Sequence, residues 1–453
     1  MIPAAFAPFL DQAPFCVMAR LSLERLFSPE PLDALFRKTS QQQERELLFS
    51  ELVELMISVV LRVDPSVHAA FQKRATTFKV TDQAVYNRLQ RVELKVSAAL
   101  VADSAAQVGP VIDCLQARLP PWLAGYSARV LDGNHLAATE HRIEELRHTW
   151  AGPLPGKVLA VYEQEQDLVT KVFQTPDGHA QERSLLDDVL TSVRAKDLWI
   201  ADRNFCTLKF MHGIAACQAA FVFRQHGSLD GQLVGERRSA GTTDSGKVYE
   251  QTMVLEYAEQ KLPLRRITVE LEKPTRDGHK ELHILTNLPA HDAKAVQVAD
   301  LYRKRWTIEK RFYDITQTLD CEPNTLGYPK AALFAFCLAL VASNAVAMMK
   351  ASLRAVHPPE DVDKLSNYYM ALEIRQTYLG MMVALPAAQW EAFRSLTVEQ
   401  WAQVLRDTAG HVDLTLRRYQ KAPKRSPKKP QRRDKYKNGG HVSTHKILEK
   451  RNQ

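Results

Sequence analysis

Three acidic residues follow segments that would bring their carboxylates together. Asp132 closes the apolar run ARVLD, and Asp202 closes a later run, LWIAD. Runs of this composition predict strands, and α/β sheets expose their functional sites at the carboxyl ends of strands. Two carboxylates a few ångströms apart repel each other unless they share a hard cation such as Mg²⁺, which prefers oxygen ligands. The pair therefore indicates metal-dependent chemistry.

The third acid comes from a helix that we expect to begin near Asp300. Tyr302, Arg305 and Glu309 recur at i, i+3 and i+7, a spacing that places them on one helix face, with Trp306 beside them. Glu309 can then point at the sheet and complete a set of three carboxylates. The alternative is an ordinary solvent-facing helix, because the segment LYRKRWTIEKRF is dense in charge.

The elements that must position these residues predict an α/β fold of several domains. Between Trp122 and Phe223, three strand-like runs are followed by a helix, a strand, a helix-like segment and a strand, which is the order of a ribonuclease-H-like mixed sheet. We assign this catalytic domain to residues 120–226 plus 290–350. Residues 227–289 show alternating polar and apolar side chains between GTTDSG and TRDG turns, which predicts a β-rich insertion.

Helical regions are predicted on both sides of this sheet. Residues 1–110 form the N-terminal one, with a helix-turn-helix near 65–100 whose second helix Thr81 or Asp82 would cap. An ordinary helical bundle with a charged face is the alternative. In the helix-turn-helix interpretation, the side chains presented to DNA are Gln83, Tyr86, Asn87 and Arg88. Residues 351–420 form the C-terminal helical region.

Three short motifs together carry a family resemblance. LDGN after one strand, ADRNF after a later strand and YRKRWTIE after the insertion resemble the bacterial insertion-sequence transposases of the DDE type, over roughly Val130 to Leu319. Within that family the chain looks like the subgroup marked by Y-x2-R-x3-E-x6-K. Tyr302, Arg305 and Glu309 match its first three positions, and Thr316 stands where the subgroup has lysine.

The resemblance implies a role for each matched residue. Asp132, Asp202 and Glu309 would hold two Mg²⁺ or Mn²⁺ ions for in-line phosphoryl transfer. Arg305 would clamp a phosphate and Tyr302 would donate a hydrogen bond to the DNA backbone nearby. The remaining expected DNA contacts in this region are Trp306, which would stack on an unpaired or flipped base unless it packs in the core, and Arg203.

The basic charge of the chain is concentrated at one end. Residues Lys421 to Gln453 hold 12 Lys or Arg and 2 acids, whereas the whole chain has a net charge of only +8. This segment is poor in apolar residues, so we expect 421–453 to be a flexible cationic tail. It would bind phosphates without sequence selectivity, or else only keep the chain soluble. The expected phosphate contacts are Lys424, Arg425, Lys428 and Lys429.

Two other segments invite interpretations that we do not favour. Ala331 to Met349 is 19 residues without a charge, near the length of a membrane span, but it is alanine-rich and contains Ser343 and Asn344. We expect a buried core helix. His141, Glu144, Glu145 and His148 have the spacing of zinc ligands on a helix, but a charged surface segment is the simpler explanation. His135, three residues after Asp132, is expected to be a local hydrogen-bond partner.

The leading hypothesis is therefore a transposase that cuts an insertion sequence at its terminal inverted repeats and joins the 3′ ends to target DNA. A metal-dependent DNA nuclease without strand transfer is one alternative, and a domesticated, non-catalytic DNA-binding protein is another. The expected partners are double-stranded DNA and a second copy of the chain in a synaptic complex, with Asp361 to Asp407 as the candidate dimer interface. The scattered cysteines and the lack of a secretory signal or nucleotide-binding motif predict a cytoplasmic enzyme without a nucleotide cofactor.

Overall fold

A computed structural model describes residues 2–43, 46–275, 278–314, 325–416, 419–421 and 440–451. Its strands are β1 (Ser127–His135), β2 (Gly152–Leu154), β3 (Lys157–Glu163), β4 (Leu168–Thr175), β5 (Asp197–Ala201), β6 (Ala220–Arg224), β7 (Gln232–Thr243), β8 (Gly246–Tyr257), β9 (Gln260–Leu271), β10 (Glu281–Thr286) and β11 (His441–Ser443). Nine of these described strands form one sheet, in the order β4-β3-β1-β5-β6-β10-β9-β8-β7.

The predicted ribonuclease-H-like fold class is confirmed by the first five strands of that order. β3 and β4 run antiparallel as a meander beside β1, whereas β5 and β6 run parallel to β1. The parallel strands are buried on both faces, which is why LWIA and AFVF are continuous apolar runs instead of alternating ones.

The β-rich segment after β6 continues the central sheet. β10 pairs antiparallel with β6, Thr286 opposite Val222, and β9, β8 and β7 follow in turn. This pairing covers the edge of β6, which would otherwise expose unpaired backbone groups. The expected β-rich insertion therefore extends the central sheet itself.

The helices lie before, between and after the strands. In chain order they are α1 (Ala7–Gln12), α2 (Pro14–Leu26), α3 (Pro29–Thr39), α4 (Phe49–Val60), α5 (Val67–Arg74), α6 (Asp82–Arg91), α7 (Leu94–Cys114), α8 (Leu186–Leu190), α9 (Leu208–Ala216), α10 (Ala295–Arg303), α11 (Trp306–Tyr313), α12 (Pro329–Arg354), α13 (Pro359–Lys364), α14 (Asn367–Ala384), α15 (Ala388–Glu391), α16 (Val398–Ala409) and α17 (Thr444–Arg451).

Two hydrophobic cores cover the two faces of the sheet. The larger contains Val130, Ala160 and Ile200 from the sheet together with apolar residues of the N-terminal helices, α12 and α16. The smaller contains Leu131 and Trp199 together with α8 and α9. The helical regions at both ends of the chain therefore share one core with the sheet.

The long apolar segment forms α12, a core helix. By length and mean hydropathy it could cross a membrane, but 94% of its most apolar window is buried inside the protein. It packs against α2, α4, α7, α16 and β4. Asn344, which is fully buried, accepts a hydrogen bond from the Val169 backbone N–H (2.9 Å) and donates one to the Val169 carbonyl (2.9 Å). The helix thus supplies the partner that the edge strand β4 lacks.

The apolar pattern from Val80 to Leu100, expected to be one helix, forms two. α6 ends at Arg91 and α7 begins at Leu94, because the Glu93 carboxylate accepts hydrogen bonds from the Ser40 hydroxyl and the Gln41 N–H, both at 2.9 Å. Such non-local contacts are invisible to a local pattern. The predicted cap is confirmed, since the Thr81 hydroxyl accepts from the Ala84 N–H.

The prediction of a flexible tail over 421–453 is wrong for its last part. β11 pairs in parallel with β2, and α17 follows it directly. Lys446 forms an ion pair with Asp177 (3.2 Å), and Arg451 pairs with Glu145. The short run HVSTHKIL contains apolar side chains and a strand whose backbone pairs with β2, and these hold it on the loop after β1. Lys424, Arg425, Lys428 and Lys429 lie outside the described residues.

The aromatic residues of the candidate dimer interface are mostly internal. Trp390 and Trp401 are fully buried, so they pack in the core and cannot contact a partner. The large hydrophobic side chains exposed between Asp361 and Asp407 are Tyr368, Leu379 and Val383, all on α14. Whether this helix forms an interface stays a prediction.

We expect Asn344→Leu to lower the free energy of unfolding by about 2–4 kcal/mol, because it leaves a buried backbone N–H and C=O of β4 without their partner. Urea denaturation measures this change. Ser352→Ala is the matched control, since the buried Ser352 hydroxyl donates only to the Met349 carbonyl of its own helix (2.7 Å). Equal stability of the two variants would contradict this role of Asn344.

Candidate active site

The pairing of β1 with β5 brings the two predicted aspartates side by side. In this parallel pair Leu131 lies opposite Ala201, and Asp132 and Asp202 are the next residues along the chain. Asp202 directly follows β5, as expected. Asp132 was also expected at a strand end, but β1 continues to His135 because its other neighbour, β3, keeps pairing beyond Asp132. The two carboxylates therefore lie at the same level of the sheet, at the point where β5 ends and β1 continues.

The helix that carries the third acid is broken. We had expected one helix through Tyr302, Arg305 and Glu309, whereas α10 ends at Arg303 and α11 begins at Trp306. Arg305 keeps helical dihedral angles (φ −50°, ψ −36°), so the chain bends without reversing its direction. The Arg305 guanidinium still lies beside the Tyr302 ring, 5.9 Å from its centroid.

Arg305 joins two of the three predicted carboxylates. Its Nη1 lies 3.1 Å from Asp132 Oδ2 and 2.6 Å from Glu309 Oε1. The side chain is only 7% exposed. Its Nε is buried and donates to no atom in the part of the chain that the structure describes. An arginine held with a free donor in such a position offers an N–H fork for an incoming oxyanion.

The pKa of Asp132 reports how crowded this site is with negative charge. Burial, together with the carboxylates of Glu309 and Asp202, raises the pKa of Asp132 to about 7 against the opposing effects of Arg305 and the Gly133 N–H. The Asp202 carboxylate accepts a hydrogen bond from the Arg203 N–H (2.6 Å). A cation among these three acids would lower their mutual repulsion.

Tyr302 completes the wall of the site. It is buried, and burial raises the pKa of Tyr302 to about 12, against the lowering effect of the neighbouring Arg305 and with a smaller raising contribution from the Asp202 carboxylate. The phenol is therefore protonated at neutral pH, and it is a hydrogen-bond donor beside the carboxylates.

The donor set fits a hard divalent cation. Asp132, Asp202 and Glu309 offer only carboxylate oxygens, and Asp132 carries the burial and like-charge repulsion that a cation would relieve. The described residues contain no group of three or more His, Cys, Asp or Glu side chains already drawn together as metal ligands. Arg305 lies between Asp132 and Glu309, so its guanidinium supplies the positive charge between these two carboxylates.

The other predicted DNA contacts are spread over the surface. Trp306 is 62% exposed and lies against Arg305, with the guanidinium 5.3 Å from its ring, so it does not pack in the core. Arg203 is half-buried directly after Asp202. Thr316 lies outside the described residues.

The four predicted DNA contacts on α6 differ in their exposure to solvent. Gln83 and Asn87 are hydrogen-bonded to each other (3.1 Å) on its exposed side. Tyr86 is half-buried. Arg88 turns toward the protein, with its guanidinium 4.6 Å from the Phe36 ring centroid. Two of the four side chains therefore face solvent.

The discounted histidines have structural partners. His141 Nε2 lies 2.8 Å from the Ala151 carbonyl oxygen. Glu145, from the same segment, pairs with Arg451. His135 points toward Glu182, with 3.8 Å between Nδ1 and Oε1.

One neighbour of the site was missed in the sequence. The Glu182 carboxylate occupies the space that a Cβ would need at Gly133, so any larger residue there would have to displace the end of the Glu182 side chain. Because successive side chains of a strand point to opposite faces, Glu182 lies across the sheet from the Asp132 carboxylate. The glycine of LDGN was the available signal, but nothing local pointed to Glu182.

Comparison with known proteins finds one family model that matches part of the chain. Residues 123–345, just under half of the chain, match the family model of the transposase DDE domain. No curated protein matches the chain significantly. Among solved structures, a piggyBac transposase synaptic complex with hairpin DNA, determined by cryo-EM, is 11% identical with a TM-score of 0.40, over 88% of this chain and 85% of that chain. The family match supports a DDE transposase, and DDE domains generally use divalent metal ions.

We expect metal-free protein to lose stability relative to Asp132→Asn as the pH rises from about 4 to about 7. Between the ordinary pKa of 3.8 and the folded value of about 7, the folded state binds more protons at Asp132 than the unfolded state does. The free energy of unfolding must then fall with rising pH, by an amount on the order of a few kcal/mol. Urea titrations in EDTA at several pH values measure the difference.

The control for this experiment is Asp244→Asn. The Asp244 side chain is 90% exposed, so folding removes little of it from solvent. A pH-independent difference between wild type and Asp132→Asn would show that Asp132 is not buried among like charges as described.

Proposed function

We propose that this chain is a DNA transposase of the DDE type that cuts an insertion sequence at its terminal inverted repeats and joins the 3′ ends to target DNA. The observation that carries the proposal is the placement of Asp132 and Asp202 at one level on neighbouring parallel strands, with Glu309 tied to Asp132 through Arg305. Carboxylates so arranged suit phosphodiester chemistry with metal ions.

In the proposed mechanism, Asp132, Asp202 and Glu309 hold two Mg²⁺ or Mn²⁺ ions. When bound, the ions supply Lewis acidity at the reacting phosphate and activate water or a 3′-hydroxyl. The buried Nε of Arg305, which donates to no atom among the described residues, donates a hydrogen bond to the phosphate. Tyr302, protonated at neutral pH, donates a hydrogen bond to the DNA backbone beside it.

The remaining parts of the chain would hold the DNA. Gln83 and Asn87 on the exposed side of α6 are the best placed to contact base edges, because they face solvent. The basic segment after Lys421 would add affinity without sequence selectivity. Synapsis of two transposon ends implies a homodimer, and we place the enzyme in the bacterial cytoplasm.

Substitution of the acids tests the proposal. Asp132→Asn, Asp202→Asn and Glu309→Gln should each lower DNA cleavage by at least about 10³-fold while leaving DNA binding intact, because each removes a metal ligand. A gel assay of plasmid carrying the element's own ends measures cleavage. Asp300→Asn, a half-exposed acid on α10, is the control and should cleave like wild type.

The same assay separates the alternatives. A transposase joins a pre-cut 3′-hydroxyl end to target plasmid, whereas a nuclease only hydrolyses. Unchanged cleavage by all three variants would exclude these acids as the active site. Binding without any cleavage by wild type would favour a non-catalytic DNA-binding protein.

Metal titration gives an independent measure. By calorimetry with Mn²⁺, Asp132→Asn and Asp202→Asn should bind at least about tenfold more weakly than wild type, because loss of a ligand exceeds the usual effect of losing an outer-shell partner. Glu182→Gln is the matched control, since this acid lies across the sheet. An equal loss from Glu182→Gln would place the metal on the other face.

A further inference from the structure

A polar cavity lies on the opposite flank of the helix that carries Glu309. It has a volume of about 130 Å³, room for several water molecules, and α11, α12 and the start of α14 form its walls. From α11 and the residue that follows it, the cavity is lined by Thr307, Lys310, Arg311 and Asp314, which recur at i, i+3, i+4 and i+7. At about 100° per residue this face is about half a turn away from Arg305 and Glu309.

The cavity has an excess of positive charge. Arg311 pairs with Asp167 and donates to the Ser343 hydroxyl (2.9 Å), and Asp314 accepts from Asn367 Nδ2 (2.7 Å). Both acids of the wall are therefore already engaged.

Two lysines of the cavity wall are not engaged in this way. Lys310 and Lys350 make no hydrogen bond or ion pair within the part of the chain that the structure describes. Burial lowers the pKa of Lys350 to about 8, so its ammonium is still mostly charged at neutral pH. The carboxylates of Asp167 and Asp314 act on the Lys350 ammonium through space but form no ion pair with it, so the wall keeps an excess of positive charge that an anion entering the cavity would offset.

The surface between the two flanks of α11 suits a nucleic-acid strand. Trp306 and Tyr313 are each 62% exposed on the outer side of the helix. Aromatic faces of this kind stack on unpaired bases. Because a helix with its side chains is about 10 Å across, a strand that crosses α11 spans the distance from the carboxylates to the cavity within a few nucleotides.

We propose that this cavity binds a backbone phosphate of the DNA strand engaged at the active site, with Lys350 and Lys310 as its contacts. The proposal rests on the proposed function, since it assigns a second contact to the same DNA. Lysine binds phosphate as a point charge, so the site adds affinity and fixes the path of the strand without reading its sequence.

The test compares full-length wild type, Lys350→Met and Lys330→Met for binding to a fluorescent 20-nucleotide dT strand in EDTA at fixed salt. Lys350→Met should bind about tenfold more weakly than wild type, which corresponds to about 1.4 kcal/mol. Lys330→Met removes an exposed lysine from the same helix and should bind within about twofold of wild type. Lys350→Met keeps the aliphatic stem, so it should also unfold at a midpoint no lower than wild type.

Lys310→Met, at the exposed rim, is a second variant that tests the cavity even if Lys350→Met fails to fold, and it should show a similar loss. In a parallel arm, inorganic phosphate at constant ionic strength should raise the unfolding midpoint of wild type and Lys330→Met but not that of Lys350→Met. Phosphate stabilisation without any change in DNA affinity would assign the cavity to a small phosphorylated molecule and overturn the DNA assignment.

Equal DNA affinity of Lys350→Met, Lys310→Met and Lys330→Met would overturn the proposal while leaving the transposase function standing. Failure of wild type itself to bind DNA would instead contradict the proposed function.

Discussion

The site depends on how β1 is paired on its two sides. Its parallel neighbour β5 ends at Ala201, whereas its antiparallel neighbour β3 continues to pair as far as His135. Asp132 is therefore held rigidly within a strand by one neighbour, and the end of the other leaves room for Asp202 beside it. A shift of either register by one residue would turn the Asp132 side chain to the opposite face of the sheet.

The charges of the carboxylates then determine which side chains can pack against the ends of β1 and β5. Three carboxylates crowd a buried site, and burial with mutual repulsion raises the pKa of Asp132. Arg305 compensates by contacting Asp132 and Glu309 together. α11 thus presents its charges to the sheet on one flank and to the Lys350 cavity on the other, and its core-facing residues Ile308 and Phe312 hold it in place.

The sequence was most informative where structure is local. Strands rich in β-branched residues, the Thr81 cap and the strand-end position of Asp202 all follow from neighbours in the chain, and the structure agrees with them. The continuation of β1 past Asp132, the pairing of β10 with β6 and the break before α11 depend on distant partners, which no window of sequence contains. The bridge made by Arg305 was missed for the same reason, because arginine in a charged helix is far more often exposed.

The two-stranded sheet of β2 and β11 has a consequence for how the chain is made. β2 lies in the loop that joins β1 to β3, yet its partner includes residues 441–443, which leave the ribosome long after the strands that carry the aspartates. A chain cut short by a premature stop would keep all three acids and the whole nine-stranded sheet. It would expose an unpaired strand in the loop next to them, and unpaired strand edges promote aggregation.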